Sequence, residues 1–272
     1  MPVIGRAVSR HPDPRAYAPE VPTRSTRPAA LLAAALGGLT AAALVLPRRF
    51  EAGRRRRAVG VNETLPVNSA WWREHAKIEG DLLYVALGDS TAQGIGASRP
   101  GNGYVGILAD RIRALSGRSV RTVNLSVSGA RASDLVEHQL PRLAKMQPDV
   151  VTLAIGANDI LAFEPVAFEH DLGRILDAVP PTTVVADLPC FHFPTSERKV
   201  RVANEIVRRL ATARGLRLAP LHRITRRQTA VLAITQAAGD LFHPNDRGYR
   251  VWASAFLPFL PATVHALEVS GR

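Results

Sequence analysis

Three side chains that lie far apart in the sequence have the types needed for nucleophilic attack on a carbonyl group. Ser90 lies in Gly88-Asp89-Ser90-Thr91, directly after the apolar run 82–87, and an enzyme can present a nucleophilic hydroxyl at such a strand tip. A serine hydroxyl is too weak an acid to attack unaided, so it needs a base. We predict that His243 accepts its proton as a neutral imidazole, and that Asp240 orients this ring and stabilises its charged form.

Attack on a carbonyl creates an oxyanion, and the sequence contains candidate donors to it. Gly129 ends the segment Asn124-Leu125-Ser126-Val127-Ser128-Gly129, and Asn158 lies in Gly156-Ala157-Asn158-Asp159. We predict an oxyanion hole made of the backbone N–H groups of Ser90 and Gly129 and the side-chain amide of Asn158. Glycine fits position 129 because a side chain there would obstruct the substrate's approach to the backbone.

The elements that must position these residues alternate along the chain. Near-continuous runs of Val, Leu and Ile indicate strands that are buried on both faces, and their alternation with helices predicts a parallel sheet covered on both sides. The strands are predicted at 82–87, 120–127, 149–155, 183–188 and 216–221, and the helices at 103–116, 132–145, 165–178, 197–213 and 246–258. Because active sites in such sheets lie beyond the carboxyl ends of the strands, this edge should gather the motifs.

Each motif taken alone also has a purely structural interpretation. Ser90 could cap a helix, and Asp240 with His243 could form a capping pair before Pro244. The segment from Gly156 to Asp159 could be a strand-to-helix turn. Their joint occurrence, in order and at successive strand ends, favours the catalytic interpretation. Four aromatic residues could wall an acyl pocket or simply pack in loops: Phe163, Phe168, Phe191 and Phe193.

Four short blocks together resemble the SGNH hydrolases, also called the GDSL esterase/lipase family. The resemblance covers about residues 81–260 and departs from the family's name at Thr91, where leucine is usual and which is not a catalytic position. The matching blocks are Gly88-Asp89-Ser90 for the nucleophile, Gly129 for the glycine, Gly156-x-Asn158-Asp159 for the asparagine and Asp240-x-x-His243 for the last block.

The resemblance implies a three-layer α/β/α sandwich with a flavodoxin-like parallel sheet, and ester or thioester hydrolysis with no metal and no other cofactor. It implies the same roles for the residues named above. We therefore expect a serine hydrolase that cleaves carboxylic esters of acyl or lipid-like type through an acyl-serine intermediate. A carbohydrate O-deacetylase and a non-catalytic binding module on the same fold are the alternatives. An α/β-hydrolase is disfavoured because its nucleophile lies in Gly-x-Ser-x-Gly, which is not the pattern around Ser90.

The first 80 residues lie outside the resemblance and divide by composition. Residues 1–28, rich in proline and arginine, predict a disordered basic tail. Residues 29–46 carry no charge, and as a helix they would extend about 27 Å, enough to cross the hydrocarbon core of a bilayer. We predict an N-terminal hydrophobic helix there that anchors the chain in a membrane or lies in its interface. Residues 47–80 are predicted to be a basic connector to a hydrolase domain over 81–272. A cleaved signal peptide is disfavoured because its n-region would be unusually long and no small-x-small site follows before the arginine block that starts at Arg48.

The positive charge of the chain indicates a membrane partner. The formal net charge is +12, and the densest cluster, six arginines between positions 48 and 57, directly follows the hydrophobic segment. It lacks a series of aromatic residues on which bases would stack, so we predict membrane contact and no nucleic-acid partner. The positive-inside rule then predicts a catalytic domain on the cytoplasmic side. The single cysteine, Cys190, excludes an intrachain disulfide and, on this prediction, cysteine-based metal sites. The sequence makes no prediction of oligomeric state.

Overall fold

The computed structural model describes residues 63–228 and 230–269. Two predictions, the tail over 1–28 and the hydrophobic helix over 29–46, lie outside the described residues, as does the first part of the connector over 47–80. Along the part of the chain that the structure describes, no helix combines the length and the apolar composition needed to cross a bilayer.

A five-stranded parallel sheet forms the centre of the described domain. The strands are β1 (Leu82–Gly88), β2 (Val120–Asn124), β3 (Val150–Ala154), β4 (Val184–Ala186) and β5 (Arg217–Ala219). Their order is β2-β1-β3-β4-β5, so β1 lies between β2 and β3. This order confirms the flavodoxin-like sheet expected from the sequence.

Helices cover both faces of the sheet, which confirms the prediction of three layers. Val85 and Leu87 of β1 belong to one buried cluster, while Tyr84 and Ala86 belong to the other, as the alternation of side chains along a strand requires. The helices are α1 (Leu65–His75), α2 (Tyr104–Ser116), α3 (Ala132–His138), α4 (Leu140–Leu143), α5 (Pro165–Ala178), α6 (Pro194–Ala213), α7 (Leu221–Arg226), α8 (Ala230–Gln236), α9 (Asp246–Phe256) and α10 (Leu260–Val269). The first cluster packs against α3, α5 and α6, and the second against α2, α9 and α10. Short 3₁₀ helices span Pro100–Asn102, Asp159–Ala162 and Leu257–Phe259.

Two of the differences from the predicted ranges have local chemical reasons. The regular strand predicted over 120–127 ends at Asn124, whose side chain accepts hydrogen bonds from the N–H and hydroxyl of Ser126, although Leu125 and Val127 still donate to the carbonyl oxygens of Ala86 and Gly88 on β1. The helix predicted over 132–145 is divided at Gln139. Pro141, in the first turn of α4, has no N–H to continue the hydrogen-bond ladder of α3.

The predicted connector contains α1, which packs on the domain. Asn68 Nδ2 and Trp72 Nε1 donate to the carbonyl oxygen of Gln93 at 2.9 Å and 3.0 Å, near the carboxyl end of β1. At the other end of the helix, Arg121 Nε, at the start of β2, donates to the carbonyl oxygen of Ala76 at 2.9 Å. Helix α1 therefore runs antiparallel to the strands, from their carboxyl edge to their amino edge.

Candidate active site

The structure brings Ser90, His243 and Asp240 into one hydrogen-bonded row at the carboxyl edge of the sheet. His243 Nε2 lies 2.8 Å from Ser90 Oγ, and His243 Nδ1 lies 2.6 Å from Asp240 Oδ2. Because the Asp240 carboxylate accepts a hydrogen bond from Nδ1, Nε2 is the ring nitrogen left to accept the serine proton. The side chains of His243 and Asp240 are 11% and 6% exposed, so the protein shields the row from most of the solvent.

A tight turn explains the spacing between Asp240 and His243. Asp240 Oδ1 accepts the backbone N–H groups of Phe242 and His243 at 3.0 Å and 3.1 Å, while Oδ2 faces the imidazole. Leu241, inside the turn, has a φ of 58°, in the left-handed region. Burial opposes ionisation of Asp240, but the hydrogen bonds from the His243 ring and the two backbone groups outweigh it and hold the pKa of Asp240 below its ordinary value. One carboxylate therefore both shapes the loop and faces the imidazole.

Buried polar groups fix the turn that carries Ser90. The fully buried side chain of Gln139 donates to the carbonyl oxygen of Gly88 at 2.7 Å and accepts its N–H at 3.0 Å. Asp89 Oδ1 accepts the N–H and the hydroxyl of Thr91 at 2.9 Å and 2.7 Å, and burial raises the pKa of Asp89. A side chain on Gly88 would overlap the carbonyl oxygen of Ala154 on β3. Gln139 was not predicted from the sequence because its partner lies 51 positions away.

Gly129 and Asn158 lie on the two loops that flank Ser90, since they follow β2 and β3 while Ser90 follows β1. Gly129 has a φ of 81°, and a Cβ there would meet no atom within 4 Å, so a side chain would enter open space. Asn158 Nδ2 donates to the carbonyl oxygen of Ala130 at 3.0 Å, which ties the two loops together and leaves its second amide hydrogen for another acceptor. Within residues 63–228 and 230–269, the backbone N–H groups of Ser90 and Gly129 have no hydrogen-bond acceptor.

The carboxyl group next to Asn158 supports the same loop. Asp159 Oδ2 accepts the backbone N–H of Ala132 at 3.2 Å, at the start of α3. Burial raises the pKa of Asp159 to about 6, and the hydrogen bond from Ala132 opposes this rise without cancelling it. The loop after β3 is therefore joined to the loop after β2 at two points, through Asn158 and through Asp159.

The loop after β4 brings an aromatic side chain to the row. The ring of Phe191 lies 6.4 Å from that of Phe242, which stands edge-on to the His243 ring at 5.1 Å. Phe193 is 70% exposed, whereas Phe168 is a core residue that contacts Phe163. Of the four aromatic residues considered as pocket walls, Phe191 is linked to the row through Phe242.

One cluster in the described residues has donor atoms close enough to hold a metal ion. Atoms of Cys190, Glu197 and His222 lie within 4.8 Å of one another. The two oxygens of Glu197 already have partners, with Oε1 at 2.6 Å from His222 Nε2 and Oε2 accepting the N–H of Phe191 at 3.2 Å. Burial raises the pKa of the Cys190 thiol, which favours its neutral form over the thiolate that binds metals. This mixed cluster was not predicted from the sequence because its members come from separate elements. Its hydrogen bonds link the loop after β4 to α6 and α7.

A family model, that of the GDSL-like lipase/acylhydrolase family, matches residues 86–251. This range contains Ser90, Gly129, Asn158, Asp240 and His243. No curated relative matches the chain.

Several solved structures share the fold of this domain. The crystal structure of TesA has a TM-score of 0.55 and 23% identity, over 66% of this chain and 99% of that chain. LAE5, described as an alpha/beta hydrolase enzyme from the metagenome of Lake Arreo, Spain, has a TM-score of 0.54 and 25% identity, over 68% and 98% of the two chains. Axe2, an acetylxylan esterase from Geobacillus stearothermophilus, has a TM-score of 0.54 and 20% identity, over 68% and 96%.

Proposed function

The chain belongs to the GDSL-like lipase/acylhydrolase family and is a carboxylic ester hydrolase, and we propose that it cleaves its substrate through an acyl intermediate on Ser90. The observation that carries this proposal is the row in which His243 bridges Ser90 Oγ and Asp240 Oδ2. A serine that only capped a turn would have no need of an imidazole oriented by a buried carboxylate.

In the proposed acylation step, Ser90 Oγ attacks the carbonyl carbon of the ester as its proton passes to His243 Nε2. The carbonyl oxygen becomes an oxyanion, which accepts hydrogen bonds from the free N–H groups of Ser90 and Gly129 and from Asn158 Nδ2. Asp240 stabilises the imidazolium, and the lowered pKa of its carboxyl keeps it ionised at neutral pH. Collapse of the intermediate breaks the ester C–O bond, and His243 returns the proton to the departing alcohol oxygen.

Deacylation repeats these steps with water as the nucleophile. His243 Nε2 takes a proton from the water as its oxygen attacks the acyl carbon of the Ser90 ester. The second oxyanion accepts hydrogen bonds from the same donors as the first. When the intermediate collapses, the bond to Oγ breaks and the proton on His243 restores the serine hydroxyl. The products are an alcohol and a carboxylic acid, and the balance requires no cofactor.

For the substrate class we propose an ester with an apolar acyl group. The loops beside the row expose apolar side chains, with Leu241 at 37%, Phe242 at 52% and Val127 at 41% exposure. The second candidate is a carbohydrate O-deacetylase, supported by the fold shared with the acetylxylan esterase Axe2. Rates on p-nitrophenyl acetate, butyrate and octanoate, compared with the release of acetate from acetylated xylan, separate the two. Rates that rise with acyl length support the first candidate, and activity confined to acetyl esters supports the second.

We also propose that residues 29–46 anchor the chain in a membrane and that the catalytic domain lies on its cytoplasmic side. The absence of charge in that segment and the six arginines that follow between positions 48 and 57 support this. Membrane fractionation of the full chain, compared with a chain that starts at Gly60, tests the anchor. Full solubility of both proteins would contradict it.

A fluorophosphonate probe tests the proposed nucleophile directly. The probe should label the wild-type protein and spare Ser90→Ala, because the reaction requires an activated serine. Ser128→Ala, which removes another hydroxyl at the same edge, is the matched control and should be labelled like the wild type. Equal labelling of the wild type and Ser90→Ala would contradict the proposal.

A further inference from the structure

The polypeptide enters the described domain at the edge that carries Ser90. Helix α1 begins at Leu65, and its second turn bonds to Gln93, three residues after Ser90. Only its last residues approach the amino edge, where Ala76 meets Arg121. The chain that precedes residue 63 is therefore connected to the domain at the carboxyl edge. That chain contains the uncharged segment 29–46 and the arginine cluster.

Exposed apolar side chains are concentrated at the same edge. Among the described residues, twelve large apolar side chains are exposed, and eight of them lie on segments that follow the carboxyl ends of the strands. A ninth, Val67, lies in the first turn of α1, whereas Ile78, Val202 and Val269 lie elsewhere. Apolar groups collected on one side of a protein indicate an interaction surface. We call the eight residues the apolar rim: Val127, Leu161, Val166, Phe193, Leu232, Ile234, Leu241 and Phe242.

The segments that follow the carboxyl ends of the five strands, four of which carry the apolar rim, also carry exposed positive charge. They comprise residues 89–103, 125–134, 155–168, 187–198 and 220–247. In the described part of these segments, Glu164 is the one exposed carboxylate, against seven exposed arginines: Arg99, Arg131, Arg198, Arg223, Arg226, Arg227 and Arg247. Large apolar side chains combined with arginines are typical of protein surfaces that lie on anionic lipid.

We propose that the carboxyl edge of the sheet docks on an anionic lipid bilayer, with the apolar rim in the interface and the Ser90 row open toward the membrane. The length of chain before the domain agrees with this arrangement. Residues 47–62 can reach at most about 55 Å when fully extended, which is long enough for an anchor at 29–46 and a docked carboxyl edge to share one bilayer. The consequence for the substrate rests on the proposed function: the ester is taken from the membrane, and its acyl chain enters past the apolar rim.

The test compares two triple variants of the full chain that differ in where they lose apolar surface. Leu161→Ser/Val166→Ser/Ile234→Ser changes the rim at residues that are 75%, 85% and 63% exposed. Ile78→Ser/Val202→Ser/Val269→Ser is the matched control, at residues that are 55%, 47% and 76% exposed. Both are assayed on 4-methylumbelliferyl oleate in vesicles of phosphatidylcholine and phosphatidylglycerol, and on soluble p-nitrophenyl acetate.

The rim variant should lose at least about tenfold in rate on the vesicle ester and less than about twofold on the soluble ester, because only the first reaction requires apolar burial in the bilayer. The control should stay within about twofold on both esters. Equal losses by the two variants on the vesicle ester would overturn the proposal. So would a rate on the vesicle ester that does not rise when phosphatidylglycerol replaces part of the phosphatidylcholine, because the exposed arginines would then have no role.

A second measurement reports docking without activity. In a Cys190→Ala background, the fluorophore NBD is attached to the full chain at Leu161→Cys or, as the control, at Ile78→Cys. Adding the mixed vesicles should shift the emission of the first label to the blue and leave the second unchanged. Equal responses of the two labels would overturn the proposal whatever the enzyme activity. A blue shift confined to the first label, in a protein that cleaves neither ester, would leave docking intact and contradict the proposed function instead.

Discussion

Replacing Asp240 by asparagine should separate the two tasks of its carboxylate. In Asp240→Asn, the amide oxygen can still accept the backbone N–H groups of Phe242 and His243, so the turn keeps its shape. The amide NH₂ then faces His243 Nδ1, where Oδ2 now lies at 2.6 Å. Two donors cannot pair, so the ring is driven to the tautomer with its hydrogen on Nε2. That nitrogen faces Ser90 Oγ as a donor and cannot take the serine proton.

The expected loss of activity follows from this change of tautomer. We expect kcat/KM for p-nitrophenyl butyrate to fall by about 10³- to 10⁴-fold at pH 7, the scale associated with the wrong tautomer of a catalytic histidine. Such a loss corresponds to about 4–5.5 kcal/mol of activation free energy. The free energy of unfolding should change by less than about 1 kcal/mol, because the hydrogen bonds of the turn remain.

Asp240→Ala provides the contrast, because it also removes the acceptor of two backbone N–H groups. It should lose a similar factor in kcat/KM and, in addition, about 1–3 kcal/mol of unfolding free energy in urea denaturation. Asp177→Asn, which changes an exposed carboxylate bonded to Arg214, is the control and should keep full activity. An Asp240→Asn enzyme that retains more than about a tenth of the wild-type kcat/KM would refute the reasoning.

Two further predictions concern the loops around Ser90. Burial raises the pKa of Asp159 to about 6 from an ordinary 3.8, so the folded state binds this proton more tightly and its free energy of unfolding falls as pH rises from about 4 to 6. Asp159→Asn removes that slope, so its free energy of unfolding in urea should exceed that of the wild type by about 1–2 kcal/mol at pH 7, after solvent screening. The difference should vanish near pH 4. Free energies of unfolding that change in parallel with pH in the two proteins would contradict this. Gln139→Leu leaves the buried N–H of Gly88 without this partner and should cost about 1–3 kcal/mol in the same assay, against less than about 0.5 kcal/mol for Gln228→Leu. Equal changes in these two glutamine variants would argue against a supporting role for Gln139.

The sequence predicted the sheet and the approximate positions of most helices because apolar runs and turn residues carry local information. Parallel strands place their carboxyl ends at one edge, so the prediction that Ser90, Gly129 and Asn158 meet there needed only the order of motifs. The approach of His243 was inferred differently, from the chemical need of a serine for a base. The observed distance of 2.8 Å to Ser90 Oγ agrees with that inference.

What the sequence could not predict depends on contacts between distant residues. In the sequence, Gln139 is a single polar residue within a stretch of helical pattern, and no neighbouring residue indicates that its side chain binds the backbone of Gly88. Helix α1 lies in a segment interpreted as a connector, because polar and apolar residues are mixed along it and its contacts with Gln93 and Arg121 are remote in sequence. The mixed cluster of Cys190, Glu197 and His222 has no recognisable spacing along the chain for the same reason.

The imidazole is supported differently from the other groups of the site. Ser90, Gly129 and Asn158 lie in the loops that directly follow three adjacent strands, which the sheet holds about 4.8 Å apart. His243 is separated from the last strand, β5, by two helices and depends on its own loop, in which Ala238 donates to the His243 carbonyl at 2.7 Å and Asn245 to that of Gln236 at 2.8 Å.

This difference explains why the predicted variants should behave differently. A change in the 237–245 loop alters how His243 faces Ser90 while the sheet stays intact, so Asp240→Asn loses activity and keeps stability. A change beneath Ser90 alters the packing of β1 itself, because Gln139 holds the last residue of that strand. Gln139→Leu should therefore reduce stability, and activity should fall only to the extent that the turn moves Ser90 away from the imidazole.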